Sequence, residues 1–459
     1  MVPTPRIPRQ HEINRSPAEG AGIHRHKMFE WRRLASAACL LLLAGVQGSY
    51  GQGSGGPPAG SWSASVVLDS VAPMTSPVIS GAADVATAVW AKGQSISTTL
   101  KIAQKTSGVN QWQVTAMGEN GLGLPPTVAE SSDGTAIAGM TPSGFPSVVS
   151  RSGFSAPWGS PVTLSNGGVN LWQLFLDGQD NAVALTSTCA SVCNTYVADR
   201  PYGGSWTTKL INPNEGAIGA VNASGMMAAV FLGTQTNALE IAVSTRTSPG
   251  GAWTAPRQLW SGTGTVPPQV AVAIDANGLV TVVWSVYGNG GYTEIEASQG
   301  QAGGNNWSTP AILDSVPSPY NVTAPVVVTV PVTGDVVAAW NRSTTVAAVE
   351  TSYLSRGGSW SAPVAVNTPD TNGVGSLSLA ASSDGSLVAL TWKRGYSKTA
   401  TWIYAAVENP ATHQWAAPAL LSTTGSTSGH PAVTCGPLAT ATAVWLETRN
   451  YFMRAATYR

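Results

Sequence analysis

The chain has 459 residues, of which only 10% are charged, with acidic and basic side chains in equal number. Soluble domains ordinarily carry about a quarter charged residues; here 50 Gly, 17 Trp and abundant Ser, Thr and Asn take their place. A balanced charge excludes a basic surface able to grip a phosphate backbone, so nucleic acid is not an expected partner. The turn-rich, charge-poor composition points to an exported β protein.

Residues 1–50 read as a leader. The first 27 are polar and rich in Pro, Arg and His; Met28 then opens a basic flank ending in Arg32 and Arg33. The apolar run Leu34–Val46 and the small residues Gly45, Gly48 and Ser49 complete a secretory signal with its core at residues 28–49. That run falls short of the roughly 20 residues needed to span a bilayer, so the mature chain is expected to lack a membrane span. Translation starting at Met1 and at Met28 both fit. Residues 51–60, GQGSGGPPAG, form a flexible Gly/Pro linker, and residues 61–459 form one domain with a secreted, periplasmic or extracellular location.

From Trp62 onward a phrase of the form Gly/Asn/Gln-x-Trp-Ser/Thr/Ala-x-Pro returns, with drift, at Trp112, Trp158, Trp206, Trp253, Trp307, Trp360 and Trp415, at intervals of 46 to 55 residues. Between these anchors runs a second phrase, a turn followed by a small-apolar strand: Ala83–Trp90, Ser132–Gly139, Asp180–Thr186, Ser224–Phe231, Asn277–Trp284, Gly334–Trp340, Ser383–Trp392 and Ala439–Trp445. The module from Trp253 to Trp307 is the clearest copy. Its segments are long enough for strands and too short for helices, and Asp-Gly or Asn-Gly pairs supply the positive φ of tight hairpins. A period near fifty built only of strands is the signature of a propeller blade. The tryptophans that open and close the phrases fill the wedge where blades splay apart.

The fold class expected is therefore all-β: a single propeller of eight four-stranded blades, or seven if the degenerate copies near Trp158–Thr186 merge. Each blade takes three strands from one repeat and the next Trp-anchored strand. The chain opens on an isolated anchor strand, Trp62–Leu68, and ends on three strands without one, Pro431–Cys435, Thr442–Trp445 and Met453–Tyr458. Pairing the first into the last blade closes the ring and removes an open edge. A monomer is expected.

Of four cysteines, Cys39 lies in the leader and Cys435 reads as a buried small hydrophobe. Cys189 and Cys193 bracket a hairpin tip, where an oxidising compartment allows a disulfide. No further Cys or His stands near that pair, so neither a metal nor a cofactor is expected.

The repeat resembles the sialidase-like propellers among secreted bacterial repeat proteins, in its period, its Trp-x-x-Pro phrase and the aromatic after the turn, over residues 61–459. It departs from their Asp box, Ser/Thr-x-Asp-x-Gly-x-Thr-Trp: Asp133-Gly134 and Asp384-Gly385 are adjacent, and Asp275 and Gly278 are separated by two residues instead of one. The resemblance implies the fold. It lends no arginine triad, Tyr/Glu nucleophile or Asp acid to any numbered position, and no motif of a hydrolase or metalloenzyme occurs.

Binding residues follow from topology. If the Asp/Asn-Gly turns lie on one face of the ring, the loops after the closing aromatics lie on the other. Those loops carry Lys92, Tyr287, Asn341, Arg342, Lys393, Arg394, Tyr396, Glu447 and Arg449. In so charge-poor a chain they form a candidate polar rim for a sugar or a carboxylate. The expected function is a non-catalytic propeller binding a glycan or a protein partner through this face. The alternatives are a sialidase-like exo-glycosidase and a structural envelope protein without a small ligand.

Overall fold

In a computed structural model the description covers residues 56–70, 74–81, 85–94, 97–105, 111–119, 125–142, 145–164, 170–189, 193–213, 215–235, 238–262, 268–287, 291–395, 400–423, 429–448 and 451–459. These residues form eight sheets in sequence order, each an antiparallel meander. Blade 1 comprises Val78–Ser80, Ala86–Gln94, Ser97–Lys105 and Trp112–Glu119, and blade 2 Thr127–Glu130, Thr135–Met140, Ser147–Ser152 and Val162–Thr163. Blade 3 is Asn170–Leu176, Ala182–Cys189, Cys193–Arg200 and Thr207–Asn212, and blade 4 Gly216–Val221, Met227–Gln235, Ala238–Arg246 and Arg257–Gly262. Blade 5 is Gln269–Ile274, Leu279–Tyr287, Tyr292–Gln301 and Ala311–Pro317, and blade 6 Asn321–Thr329, Val336–Ser343, Ala347–Leu354 and Val364–Ala365. Blade 7 has Val374–Ala381, Val388–Arg394 and Trp402–Asn409, edged by the two short pieces Gln414–Trp415 and Ala419–Leu420. Blade 8 joins Ala432–Gly436, Thr440–Glu447 and Phe452–Tyr458 to Val66–Asp69 from the other end of the chain.

Eight blades are thus present, the degenerate copies included, and the ring closes through its ends. Val66 pairs with Ala455 and Val67 with Arg454. Trp62 lies ahead of the strand itself and makes a lone bridge to Tyr458. Ser61 and Arg459 exchange backbone hydrogen bonds of 2.9 and 3.2 Å, and Asn409 donates to the Gly56 carbonyl at 2.9 Å. The last residues of the expected linker therefore dock on blade 7. The leader and residues 51–55 lie outside the described residues. None of the described residues forms a helix long and apolar enough to cross a membrane.

The core is divided among the seams. Eight buried apolar clusters occur, each shared by two successive blades, the last with the first included. The closing residues Trp90, Phe231, Trp284, Trp340, Trp392 and Trp445 sit at these seams, each with 0% exposure. Second strands run Val/Ala because both their faces are covered, and small side chains let neighbouring sheets approach. In blade 5 the Asp275 carboxylate accepts from the amides of Asn277 and Leu279 at 2.8 and 2.7 Å while Gly278 takes φ 84°. Asn222 and Asp177 cap their hairpins in the same way. Cys193 is disulfide-bonded and faces Cys189 across its hairpin, whose own side chain lies outside the described residues.

The meander places first-to-second and third-to-fourth connections on one face, the turn face. Second-to-third connections and crossovers to the next blade lie on the other, the loop face.

Candidate functional site

The fourth strands share a device. In blades 3, 4, 5 and 8 the pairing slips by one residue at Ile211, Leu259, Leu313 and Leu68. Such a bulge turns the next side chain toward the following blade. That next residue is Asp69, Asn212, Trp260 or Asp314. Where it is aspartate, the carboxylate meets the closing tryptophan and a base two positions further along. Asp314 accepts from the Trp340 indole at 2.9 Å and ion-pairs with Arg342. Asp69 accepts from Trp90 at 3.2 Å and ion-pairs with Lys92 at 2.6 Å; Lys92 also donates to the Ser70 carbonyl at 2.8 Å.

The remaining predicted rim residues follow the same logic. Arg394 ion-pairs with Asp370 from blade 6 and lies 5.4 Å over the Tyr404 ring. Glu447 is buried, bonded to Arg454 at 2.7 Å and to the Thr423 amide of blade 7 at 3.2 Å. Asn341 and Lys393 alternate with Arg342 and Arg394, so they face the opposite seam. Asn341 is buried with its side-chain carbonyl lacking a hydrogen-bond partner. Tyr396 and Arg449 lie outside the described residues. The described members of the predicted set are spread over blades 1, 6, 7 and 8, and three of the bases lock neighbouring blades together.

The seam between blades 4 and 5 departs from this pattern. Trp260 pairs with Ile241 just as Asp314 pairs with Ile295, so an indole occupies the aspartate position. Two residues after Trp284 stands Val286, where Lys92, Arg342 and Arg394 stand in blades 1, 6 and 7. Both members of the ion pair are absent, but the acid opposite is kept. Glu296 pairs with Trp284 as Glu350 pairs with Trp340. Glu294 and Tyr292 continue the same face of the third strand outward; Glu294 accepts from the Ser315 hydroxyl at 3.2 Å, and Tyr292 is 43% exposed. Trp260 packs half-buried on the seam's core and lies against Gly262, where a Cβ would come within 2.4 Å of the ring. Glycine is therefore required beneath that indole.

Burial pushes the Glu296 carboxyl above its ordinary value, and the neighbouring Glu294 charge adds to this. The Trp284 N–H lies near enough to favour the carboxylate, yet it meets no acceptor at full hydrogen-bond geometry. At the neighbouring seam Glu350 is also raised by burial, but Arg342 draws it back. No such base faces Glu296 among the described residues, and the adjoining loops 236–237, 263–267 and 288–290 contain no Lys or Arg.

The turn face is built differently. Arg151, Arg200 and Arg246 each lie 5.2 Å over an anchor ring, Trp158, Trp206 and Trp253. Arg246 grips Asp199 through both terminal nitrogens, at 2.7 and 2.5 Å. Arg151 and Glu130 form a fully buried pair at 2.6 Å. Among the described residues no group of three or more His, Cys, Asp or Glu is placed to hold a metal ion.

Sequence reasoning named Tyr287 of this blade. It missed Trp260 and Tyr292. The signal was present: Leu68-Asp69, Leu259-Trp260 and Leu313-Asp314 stand at matching distances from their anchors.

No protein-family model matches the chain, and no curated protein does. Solved structures of similar fold include a lectin from Burkholderia pseudomallei, at 12% identity and a TM-score of 0.50, covering 74% of this chain and 96% of that one. A polysaccharide lyase described as an ulvan lyase gives 9% identity and 0.48, over 71% and 90%. A Hadza microbial sialidase gives 12% and 0.38, over 92% and 98%. At these identities the likeness is one of fold.

Proposed function

We propose that the protein is an exported, non-catalytic propeller that binds a glycan on its loop face, in the cleft between blades 4 and 5. The observation that carries this reading is the aromatic and acidic set turned toward that seam, Trp260, Tyr292, Glu294 and Glu296, where three other seams hold an ion pair. A pyranose presents an apolar C–H face and a rim of hydroxyl donors; an aromatic ring meets the first, and carboxylate oxygens accept from the second. The fold shared with a lectin is consistent with this use. The leader supports export.

Geometry argues against hydrolysis. Glu294 and Glu296 are alternate residues of one strand and project from one face of the sheet, so they approach a sugar from one side. Glycoside cleavage needs carboxyl groups flanking the scissile bond.

A glycan array and a fluorogenic glycoside panel test the reading together. The expected result is array binding that Trp260→Ala abolishes and Arg342→Ala preserves, with no turnover of any glycoside. Turnover lost on a single carboxylate change would replace the reading with a glycosidase. Silence in both assays would favour a protein partner or a structural role.

A further inference from the structure

Three other seams of the ring, though not the adjoining seam of blades 3 and 4, hold a pair that the seam of blades 4 and 5 lacks. At the seam of blades 5 and 6, an arginine lies between a fourth-strand aspartate and the acid opposite the closing tryptophan: Arg342 pairs with Asp314, and its charge also reaches Glu350. At the seam of blades 6 and 7, Arg394 pairs with Asp370 beneath the Tyr404 ring. At the seam of blades 8 and 1, Lys92 fills the site. Between blades 4 and 5 the acid is kept as Glu296 and doubled by Glu294, whereas the base has become Val286 and the aspartate an indole. The indole N–H groups of Trp90 and Trp340 go to an aspartate, whereas that of Trp284, like those of Trp392 and Trp445, is buried without a hydrogen-bond acceptor. Two half-buried carboxylates and a half-buried indole turned to one seam form an environment that favours a cation, through both charge pairing and the ring quadrupole.

We infer that this cleft takes its missing cation from the ligand: the glycan it binds carries a free ammonium group, seated between Glu294 and Glu296 with the sugar ring on Trp260. This rests on the glycan reading of the same cleft and adds the charge of the ligand. An ammonium has three donors, enough for both carboxylates, and the pyranose face covers the indole much as the Arg394 guanidinium covers Tyr404.

Titration calorimetry with the whole exported chain decides it, using a glucosamine tetramer, its fully N-acetylated counterpart and a triarginine peptide as probes. The tetramer is expected to bind at least about tenfold more tightly than the acetylated form, and Glu296→Gln and Glu294→Gln are each expected to weaken it about tenfold while the thermal midpoint confirms folding. Equal binding of the two tetramers, or binding indifferent to both glutamines, overturns the cationic ligand and leaves the glycan reading standing. Triarginine binding that depends on Glu296, with no tetramer binding, overturns the glycan source and the glycan reading with it. No binding of any probe overturns both.

Discussion

Leu438 and Ala439 hold φ values of 58° and 54°, a left-handed pair in which every L side chain is strained. The neighbouring blade holds them there: Asp384 accepts from the Leu438 amide at 2.7 Å, and the Ser386 hydroxyl from the Ala439 amide at 2.8 Å. These bonds help to hold the Asp384 carboxyl below its ordinary value. The Leu438 side chain is 74% exposed, so its removal loses almost no packing. Leu438→Gly is expected to raise stability by about 1 kcal/mol, read from denaturant midpoints at constant slope. A loss of stability would mean that the strain is not borne at this residue. The alternation of Asn341 with Arg342 teaches the same lesson at another point: adjacent positions in one loop phrase serve opposite seams, which a linear motif does not reveal.

At the scale of the blade, the sequence displayed the strands, the hairpin turns, the closing tryptophans and the order of the sheets, because each is set by spacing and local preference. The Trp/Val/Ala phrases marked every seam. Partners across seams were not legible, since the Lys92–Asp69 and Arg342–Asp314 contacts depend on which face a strand turns to its neighbour, and a one-residue bulge decides that face. Of the loop charges read as a ligand rim, Lys92, Arg342 and Arg394 form inter-blade ion pairs; the separation of Lys92 from Asp69 by 23 residues hides that pair from a local reading. Glu130 shows what such burial does. Desolvation raises its carboxyl from 4.5 to about 7, even though Arg151 draws it down. A folded value above the unfolded one means that the folded state holds the extra proton through that window. Stability from this group is therefore present in full below about pH 4.5 and is lost as pH rises toward 7, at up to about 1 kcal/mol per pH unit. Burial raises Glu350 and Glu408 as well, which adds in the same direction. Thermal midpoints measured from pH 5 to 7.5 are expected to fall with rising pH. Glu130→Gln, which copies the protonated acid, is expected to flatten the slope. An unchanged slope would place the titration elsewhere.

Across the whole molecule, one module is repeated eight times and then varied at single seams. Closure through Val66–Asp69 gives the last blade its fourth strand and joins the two ends of the ring, so a substitution at one seam alters local chemistry without altering the scaffold. Ion pairs lock three seams on the loop face through Lys92, Arg342 and Arg394; the seam of blades 4 and 5 exchanges that lock for Trp260 and Val286. Binding is expected to originate in that exchange. Its most direct test is to reverse it, building Trp260→Asp and Val286→Arg together so that the cleft copies the seam of blades 5 and 6, and to measure glycan affinity and thermal midpoint side by side. The predicted result is an intact propeller with an equal or higher midpoint and affinity reduced at least about tenfold; a folded double variant that binds its glycan as tightly as the natural chain would contradict it.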